Sequence, residues 1–228
     1  MTEEKMMIFD ASSLISFAIN GLLHELIELR KIFNGKFIIT NEVKSEIIDR
    51  PLTIKRFELE ALKLKKLLDD KIIELPSAVG ISDDEISRGT THFLNLANTT
   101  FYEKQKNINL IHLGEASCLA LSRIFEKKGI MNVIVIDERT TRMLCEKPEN
   151  LRKLFEDKLK TKITSNKNNY PIFEGLKLIR SAELIYVLYK KNLSRWNDSR
   201  ILDAMLWAVK FKGCAISEKE IQEIKAIG

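Results

Sequence analysis

The chain has 228 residues, of which 45% are hydrophobic and 30% charged, a composition typical of one large globular domain or of a domain with an appendage. The charge is uneven, because residues 1–150 carry 21 basic and 23 acidic side chains whereas residues 151–228 carry 16 and 9. No apolar run approaches the roughly 20 residues that a membrane span requires, and no signal-type apolar region follows the first residues, so we expect a soluble cytoplasmic protein without membrane contact.

Strand-like and helix-like segments alternate along the chain. In order, the predicted elements are a strand at 6–9, helical residues at 14–33, a strand at 37–39, helices at 41–49 and 54–69, a strand at 72–75, helices with mobile joins in 77–111, a helix at 113–128, a strand at 133–136, a charged helix after Pro148, and two or three helices within 176–227. This alternation is typical of parallel βαβ units.

Two of the predicted strands end in a carboxylate. Asp10 follows the strand at 6–9, and Asp137 follows the strand at 133–136. Ligands of open α/β sheets collect at the carboxyl ends of the strands, so the two acids are expected to meet at one site. Two more acids border buried helix faces, Glu46 on the helix at 41–49 and Glu115 in the first turn of the helix at 113–128.

Each of these acids also has a purely structural explanation. Asp10 and Asp137 are suited to cap the helices that follow them. Glu115 is favoured near the positive end of its helix, and Glu46 is within reach of lysines for a surface ion pair. Four such explanations must hold together if none of the acids is functional.

The ordered set of motifs resembles the PIN domain family of metal-dependent ribonucleases. The matching segments are residues 8–15 (Ile-Phe-Asp-Ala-Ser-Ser-Leu-Ile), 39–47 (Ile-Thr-Asn-Glu-Val-Lys-Ser-Glu-Ile), 113–116 (Leu-Gly-Glu-Ala) and 135–142 (Val-Ile-Asp-Glu-Arg-Thr-Thr-Arg). The resemblance covers residues 6–145. It is greatest to the prokaryotic subgroup that has a Gly-Glu-Ala helix start and a helical tail, with residues 181–191 and 213–217 as the counterpart of that tail.

The resemblance implies an α/β fold of three layers, α/β/α, with a parallel sheet of about four to five strands and a helical C-terminal extension. It implies a PIN-like catalytic domain over residues 1–150, in which residues 77–111 form a helical insertion or lid. Residues 151–228 are expected to be a basic helical extension packed on the same domain.

Carried over residue by residue, the resemblance assigns the metal-binding and catalytic acids to Asp10, Glu46, Glu115 and Asp137. Supporting roles fall to Ser12, Glu138 and Thr140. Glu42 is an alternative to Glu46, because it lies one turn earlier on the same helical stripe. The spacing Val-x-x-Glu from Val43 favours Glu46.

The chemistry of gathered carboxylates agrees with this assignment. Acids held close together repel one another and their pKa values rise, a cost that a divalent cation removes. Oxygen ligands suit Mg²⁺ or Mn²⁺, and one or two such ions polarise a phosphodiester and ionise a water. Zinc is not expected, because Cys118, Cys145 and Cys214 are scattered without a Cys-x-x-Cys pair and read as reduced, packed thiols.

The basic last third of the chain predicts contacts to an RNA backbone. The candidates are Lys153, Lys158, Lys160, Lys162, Lys167, Arg195 and Arg200. Tyr170 and Trp196 are candidates for stacking on bases, although aromatic residues at helical spacing more often belong to a core, as Trp207 does by its apolar neighbours.

The predicted function is therefore a Mg²⁺- or Mn²⁺-dependent endoribonuclease, either a toxin with an antitoxin protein as partner or an RNA-processing enzyme. The family resemblance is compatible with a homodimer. One alternative is a non-catalytic RNA- or protein-binding module on the same fold. A phosphatase with Asp10 as nucleophile is a weaker alternative, because residue 12 is Ser where a second Asp is common.

Overall fold

The structure, a computed structural model, describes residues 5–227. Its strands are β1 (Lys5–Phe9), β2 (Gly35–Ile38), β3 (Phe101–Glu103), β4 (Lys106–Asn107), β5 (Asn132–Val135), β6 (Ile163–Ser165) and β7 (Leu178–Ile179). Its α-helices are α1 (Ala11–Ile19), α2 (Leu23–Ile32), α3 (Asn41–Lys44), α4 (Glu58–Asp69), α5 (Asp83–Asn98), α6 (Leu113–Lys127), α7 (Arg139–Glu146), α8 (Pro148–Leu159), α9 (Ser181–Lys190), α10 (Ile201–Phe211) and α11 (Glu218–Ile227). A π-helical segment, Ser45–Asp49, continues α3, and 3-10 segments cover Pro51–Thr53, Pro76–Val79 and Lys167–Ile172.

The centre of the fold is a parallel sheet with the strand order β2-β1-β5-β7. β1 pairs with β2 and with β5, and in that register Phe9 lies beside Val135. Consecutive residues of β1 from Met6 to Phe9 are buried, which requires cover on both faces of the sheet, as is usual for parallel strands. The predicted α/β class with a parallel sheet is thereby confirmed, and it is compatible with a three-layer α/β/α arrangement.

Aromatic packing fixes the carboxyl end of β1. The rings of Phe9 and Phe37 lie 5.0 Å apart between centroids, and both side chains are fully buried. Burial of one such side chain contributes about 1.5–3 kcal/mol to the stability of the fold. Asp10 therefore follows a firmly packed strand end.

The segment 77–111 is helical only in part. It contains α5, which packs along α6, and a hairpin of β3 and β4 that joins β6 in a small antiparallel sheet. The hairpin turns through Lys104 and Gln105, both at positive φ. The strand predicted at 72–75 is reduced to one parallel bridge between Glu74 and Ile38.

The segment 151–228 differs from the prediction of a helical extension. It supplies β6 to the small sheet, and its strand β7 pairs with β5 and forms one edge of the central sheet. Two or three helices were predicted within 176–227, and the structure has three, α9, α10 and α11. The last third of the chain thus completes the central sheet.

Two expectations from composition concern membranes and thiols. Over residues 5–227, no helix has both the length and the apolar character that crossing a membrane demands. The three cysteines, all within that range, are buried and free. Burial raises the pKa of the Cys145 thiol to about 12, so this thiol is protonated at neutral pH.

Candidate active site

Asp10 caps α1 at the carboxyl end of β1. Its Oδ2 accepts hydrogen bonds from the Ser12 backbone N–H at 3.1 Å and from the Ser12 hydroxyl at 2.6 Å. The side chain is 3% exposed. Burial raises the pKa of this carboxyl, the hydrogen bonds from Ser12 oppose the rise, and the charge of Asp137 adds to it. Capping of α1 explains the position of Asp10. It does not explain why the fold accepts the free-energy cost of burying an ionised carboxylate there.

Asp137 follows β5 by two residues and is held by the start of α9. Its Oδ1 accepts the Ser181 backbone N–H at 2.7 Å, and its Oδ2 accepts the Ser181 hydroxyl at 2.7 Å. The Asp137 backbone N–H donates to Ser12 Oγ at 3.3 Å, so Ser12 connects the two strand-end acids. The carboxylate of Asp137 therefore stabilises the N-terminus of a helix from the last third of the chain.

Glu46 lies in the π-helical segment that continues α3. Thr40 caps α3 by accepting the Val43 backbone N–H at 3.2 Å, and the change to π-helical turns occurs at Ser45. Insertions of this kind are frequent at functional sites. Burial raises the pKa of Glu46 and the charge of Asp10 adds to the rise, so Glu46 lies within electrostatic reach of Asp10.

Gly114 lets the Glu46 carboxylate lie against the start of α6. A Cβ at residue 114 would lie 3.0 Å from each carboxylate oxygen of Glu46. That distance is closer than ordinary van der Waals contact, so a larger residue here would displace Glu46.

Glu115 is held by two donors in the first turn of α6. Its Oε2 accepts the His112 backbone N–H at 2.7 Å, and its Oε1 accepts the Thr141 hydroxyl at 2.8 Å. Burial raises the pKa of Glu115 to about 7, despite the hydrogen bond from His112, and the charges of Asp10 and Glu138 contribute to the rise.

Of the three predicted supporting residues, Ser12, Glu138 and Thr140, only the threonine differs, by one position. Thr141, not Thr140, contacts a site acid, because Glu138 caps α7 and accepts the Thr141 backbone N–H at 2.9 Å, which turns Thr141 toward Glu115. Thr140 makes no side-chain hydrogen bond within the described residues. Glu138 supports the site through its cap and its charge. Sequence reasoning missed Thr141 and Ser181, and the spacing Glu-x-x-Thr is the signal that identifies Thr141.

Asp10 is thus the electrostatic centre of the site. The charge of Asp10 raises the pKa of both Glu46 and Glu115. The charge of Asp137 in turn raises the pKa of Asp10. Among residues 5–227, however, no three or more His, Cys, Asp or Glu side chains are placed to hold a metal ion as they stand. We call Asp10, Glu46, Glu115 and Asp137 the site acids.

An open groove gives access to Glu46. It has a volume of about 690 Å³ and is lined by Glu42, Glu46, Arg50, His112 and Leu113, among others. Glu46 is half-buried, whereas Asp10 and Asp137 are almost fully buried. Among the site acids, Glu46 is therefore the one that this groove opens to solvent.

The seven basic residues predicted to bind RNA lie on α8 or later in the chain. Lys153 and Lys158 are on α8, which packs against α7 and β6. Lys167 pairs with Glu149 at 3.1 Å and Arg200 with Asp198 at 2.8 Å, while Arg195 lies 3.5 Å from Glu25. In the described part of the chain, no hydrogen bond or ion pair joins any of the seven to a site acid.

The two aromatic residues predicted to stack on RNA bases, Tyr170 and Trp196, differ in exposure. Tyr170 is buried against Phe101 and its hydroxyl donates to Glu149 at 3.2 Å, so it belongs to the core. Trp196 is 40% exposed, with the Arg195 guanidinium 4.4 Å from its ring centroid. Trp207 stacks on Phe211 at the edge of the core.

The chain matches no protein-family model, no curated protein and no solved structure.

Replacing Gly114 by alanine is expected to reduce any activity of the site about 10–100-fold, because the added Cβ displaces the Glu46 carboxylate. The fold should remain, since alanine is the better helix former. Rates and melting curves of G114A, E46Q and the double variant provide the measurement. If Gly114 acts by positioning Glu46, the double variant is no slower than E46Q; additive losses would contradict that role.

Proposed function

We propose that this chain is a metal-dependent endoribonuclease with a PIN-like fold. The observation that carries the proposal is the burial of Asp10 among three further acids, with the pKa of Asp10, Glu46 and Glu115 all raised. Buried carboxylates that repel one another lower the stability of the folded state. Acids with pKa values raised in this way are concentrated at functional sites.

The donor set suits a hard divalent cation. Every candidate ligand is a carboxylate oxygen, which Mg²⁺ and Mn²⁺ prefer. Mg²⁺ keeps several waters and is held through one or two carboxylates, so a closed group of three protein ligands is not required. Asp10 and Asp137 are the proposed direct ligands, with Glu115 as a further ligand or as a group that orients water. When bound, the ion polarises the phosphodiester and favours ionisation of a water.

The protein residues then divide the remaining work. Glu46 lines the open groove and is reached by solvent, so it accepts the proton of the attacking water. Its raised pKa makes it a stronger base than an ordinary glutamate. Ser12 orients Asp10, Ser181 orients Asp137, and Thr141 orients Glu115 through the hydrogen bonds described above.

A non-catalytic RNA-binding module on the same fold is the second candidate. The observation in its favour is that, between residues 5 and 227, the acids do not form a ready-made group of three metal ligands. An antitoxin partner and a homodimer stay predictions from the resemblance.

The deciding experiment incubates the purified protein with single-stranded RNA in Mg²⁺, in Mn²⁺ and in chelator. We expect cleavage with either metal and none in chelator, and E46Q, purified in parallel, serves as the control for contaminating nuclease. Binding of RNA without cleavage under every metal condition would favour the non-catalytic module. Equal cleavage by the wild type and E46Q in chelator would reject the proposed site.

A further inference from the structure

A second cavity borders the site acids on the side of Asp137. It has a volume of about 650 Å³ and lies between α7, the start of α9, the end of α10 and residues 214–217. The Ala215 backbone N–H, at its wall, donates to the Asp137 carbonyl oxygen at 3.2 Å. Arg180, another wall residue, immediately precedes the Ser181 that holds the Asp137 carboxylate. The cavity is therefore a direct neighbour of the candidate active site.

The lining of this cavity is basic. Its cationic side chains are Arg139, Arg142, Lys147, Arg180 and Lys210, and they face two acids, Glu146 and Glu220. We call this space the basic cavity. The site acids beside the basic cavity repel an anion. The lining of the basic cavity carries more cations than acids and therefore attracts one.

Three of the five cations are held by acids. Arg180 pairs with Glu220 at 2.7 Å and with Glu183, and its side chain is 9% exposed. Arg142 lies 3.5 Å from Glu146, and Lys210 lies 3.2 Å from Glu218. These pairs fix the cationic wall in place, so little side-chain freedom is lost when an anion binds to it.

The other cations of the basic cavity, Arg139 and Lys147, remain available. Both are exposed, and neither forms an ion pair or a side-chain hydrogen bond anywhere in residues 5–227. Arg142 also has a buried Nε without an acceptor among those residues. The basic cavity thus offers donors to a ligand that brings several acceptor oxygens.

We propose that the basic cavity binds a backbone phosphate of the RNA strand next to the bond that is cleaved. A phosphate group supplies negative charge and acceptor oxygens together, which is what Arg and Lys side chains recognise. Because the basic cavity lies beside Asp137, a phosphate bound there would keep the RNA strand near the site acids, which by themselves repel the RNA backbone. This inference rests on the proposed nuclease function and gives that site its substrate contact.

The test measures binding of a fluorescent single-stranded oligoribonucleotide in chelator, where the proposed reaction does not proceed. The cavity variant reverses both available charges, R139E with K147E. The matched control, K63E on α4 with K106E on β4, changes the net charge equally at exposed residues that lie outside the basic cavity and are not among the seven predicted RNA contacts. Melting curves establish that both variants fold, and R139A with K147A provides a milder form of the cavity variant.

We expect the dissociation constant of the cavity variant to rise about tenfold and that of the control less than about twofold. The slope of log affinity against log salt should become shallower by about 0.7 for the one phosphate contact that is lost on a single strand. Equal losses in the two variants, no loss in either, or no RNA binding by the wild type would overturn the inference. A selective loss of binding with a wild type that never cleaves RNA would keep the basic cavity as a site for an RNA phosphate, and would reject both the nuclease and the position of that phosphate next to a cleaved bond.

Discussion

Replacing Asp10 by asparagine is expected to lower the rate of metal-dependent RNA cleavage about a thousandfold. A bound metal supplies several kcal/mol of transition-state stabilisation, and each 1.36 kcal/mol changes a rate about tenfold. Asparagine keeps the shape of the side chain and retains an oxygen that accepts from Ser12, so the cap of α1 is preserved. The loss therefore reports the missing charge rather than a damaged helix.

The same substitution is expected to stabilise the protein at pH 8 in the absence of divalent cations. Burial and the charge of Asp137 both penalise the ionised Asp10 carboxylate, and asparagine carries no charge. Chemical denaturation and single-turnover cleavage of the same preparations measure the two effects together. A gain in stability with a loss of activity is the pattern of a residue retained for function.

The matched control is Glu42→Gln, which removes one negative charge from the groove that Glu46 lines. We expect E42Q to cleave within a few-fold of the wild type, since the proposed site uses Glu46, whose pKa the charge of Asp10 raises. Cleavage by D10N at the wild-type rate would show that Asp10 holds no metal. Comparable losses in D10N and E42Q would show that only the total charge of the region matters.

The positions of Asp10 and Asp137 were predictable because they depend on one short-range rule. Each follows a strand whose last residues are buried and apolar, and parallel strands that pair directly bring their carboxyl ends to the same edge. The Asp10 backbone N–H donates to the Val135 carbonyl oxygen at 3.0 Å, which is a direct result of that pairing. Glu115 was predictable for a similar reason, since it lies in the first turn of a long and regular helix.

The contribution of the last third was not predictable from sequence patterns. β7 has two residues, too few to show a strand period, yet its pairing with β5 brings Ser181 to Asp137. The hairpin of β3 and β4 was missed because its turn is formed by Lys104 and Gln105 at positive φ, where Asn-Gly is the usual signal.

The location of positive charge near the site depends on packing between distant segments. The seven residues selected from the basic last third include none of the cations of the basic cavity, which are Arg139, Arg142, Lys147, Arg180 and Lys210. Composition identifies an excess of charge but not the face of the fold that carries it.

The free energy of unfolding is expected to fall between pH 5 and pH 8 when no divalent cation is present. Burial raises the pKa of Glu115 from 4.5 to about 7 in the folded state, and burial also raises the pKa of Asp10 and Glu46. The folded state then binds more protons than the unfolded chain over this range, so stability decreases as pH rises. Glu115 alone accounts for about 3 kcal/mol, or ~6–12 °C in Tm for a chain of this size.

Chemical denaturation at pH 5 and at pH 8 measures this effect, and Glu115→Gln is expected to reduce the difference between the two. The matched control is Asp157→Asn, an exposed acid on α8, which should leave the difference unchanged. If the protein is as stable at pH 8 as at pH 5, burial does not raise the pKa values of Glu115, Asp10 and Glu46 in the folded state, and this prediction is wrong.

Mn²⁺ is expected to reverse the loss at pH 8. A ligand that binds only the folded state adds about 2.7 kcal/mol when its concentration is about 100 times its dissociation constant. At pH 5 the gain should be smaller, because protonated carboxyls do not bind the ion. This pH dependence separates binding at the site acids from ion binding at ordinary surface carboxylates, which are ionised at both pH values. An equal gain at pH 5 and pH 8, or a gain that D10N retains, would place the ion elsewhere on the protein, without any reference to RNA cleavage.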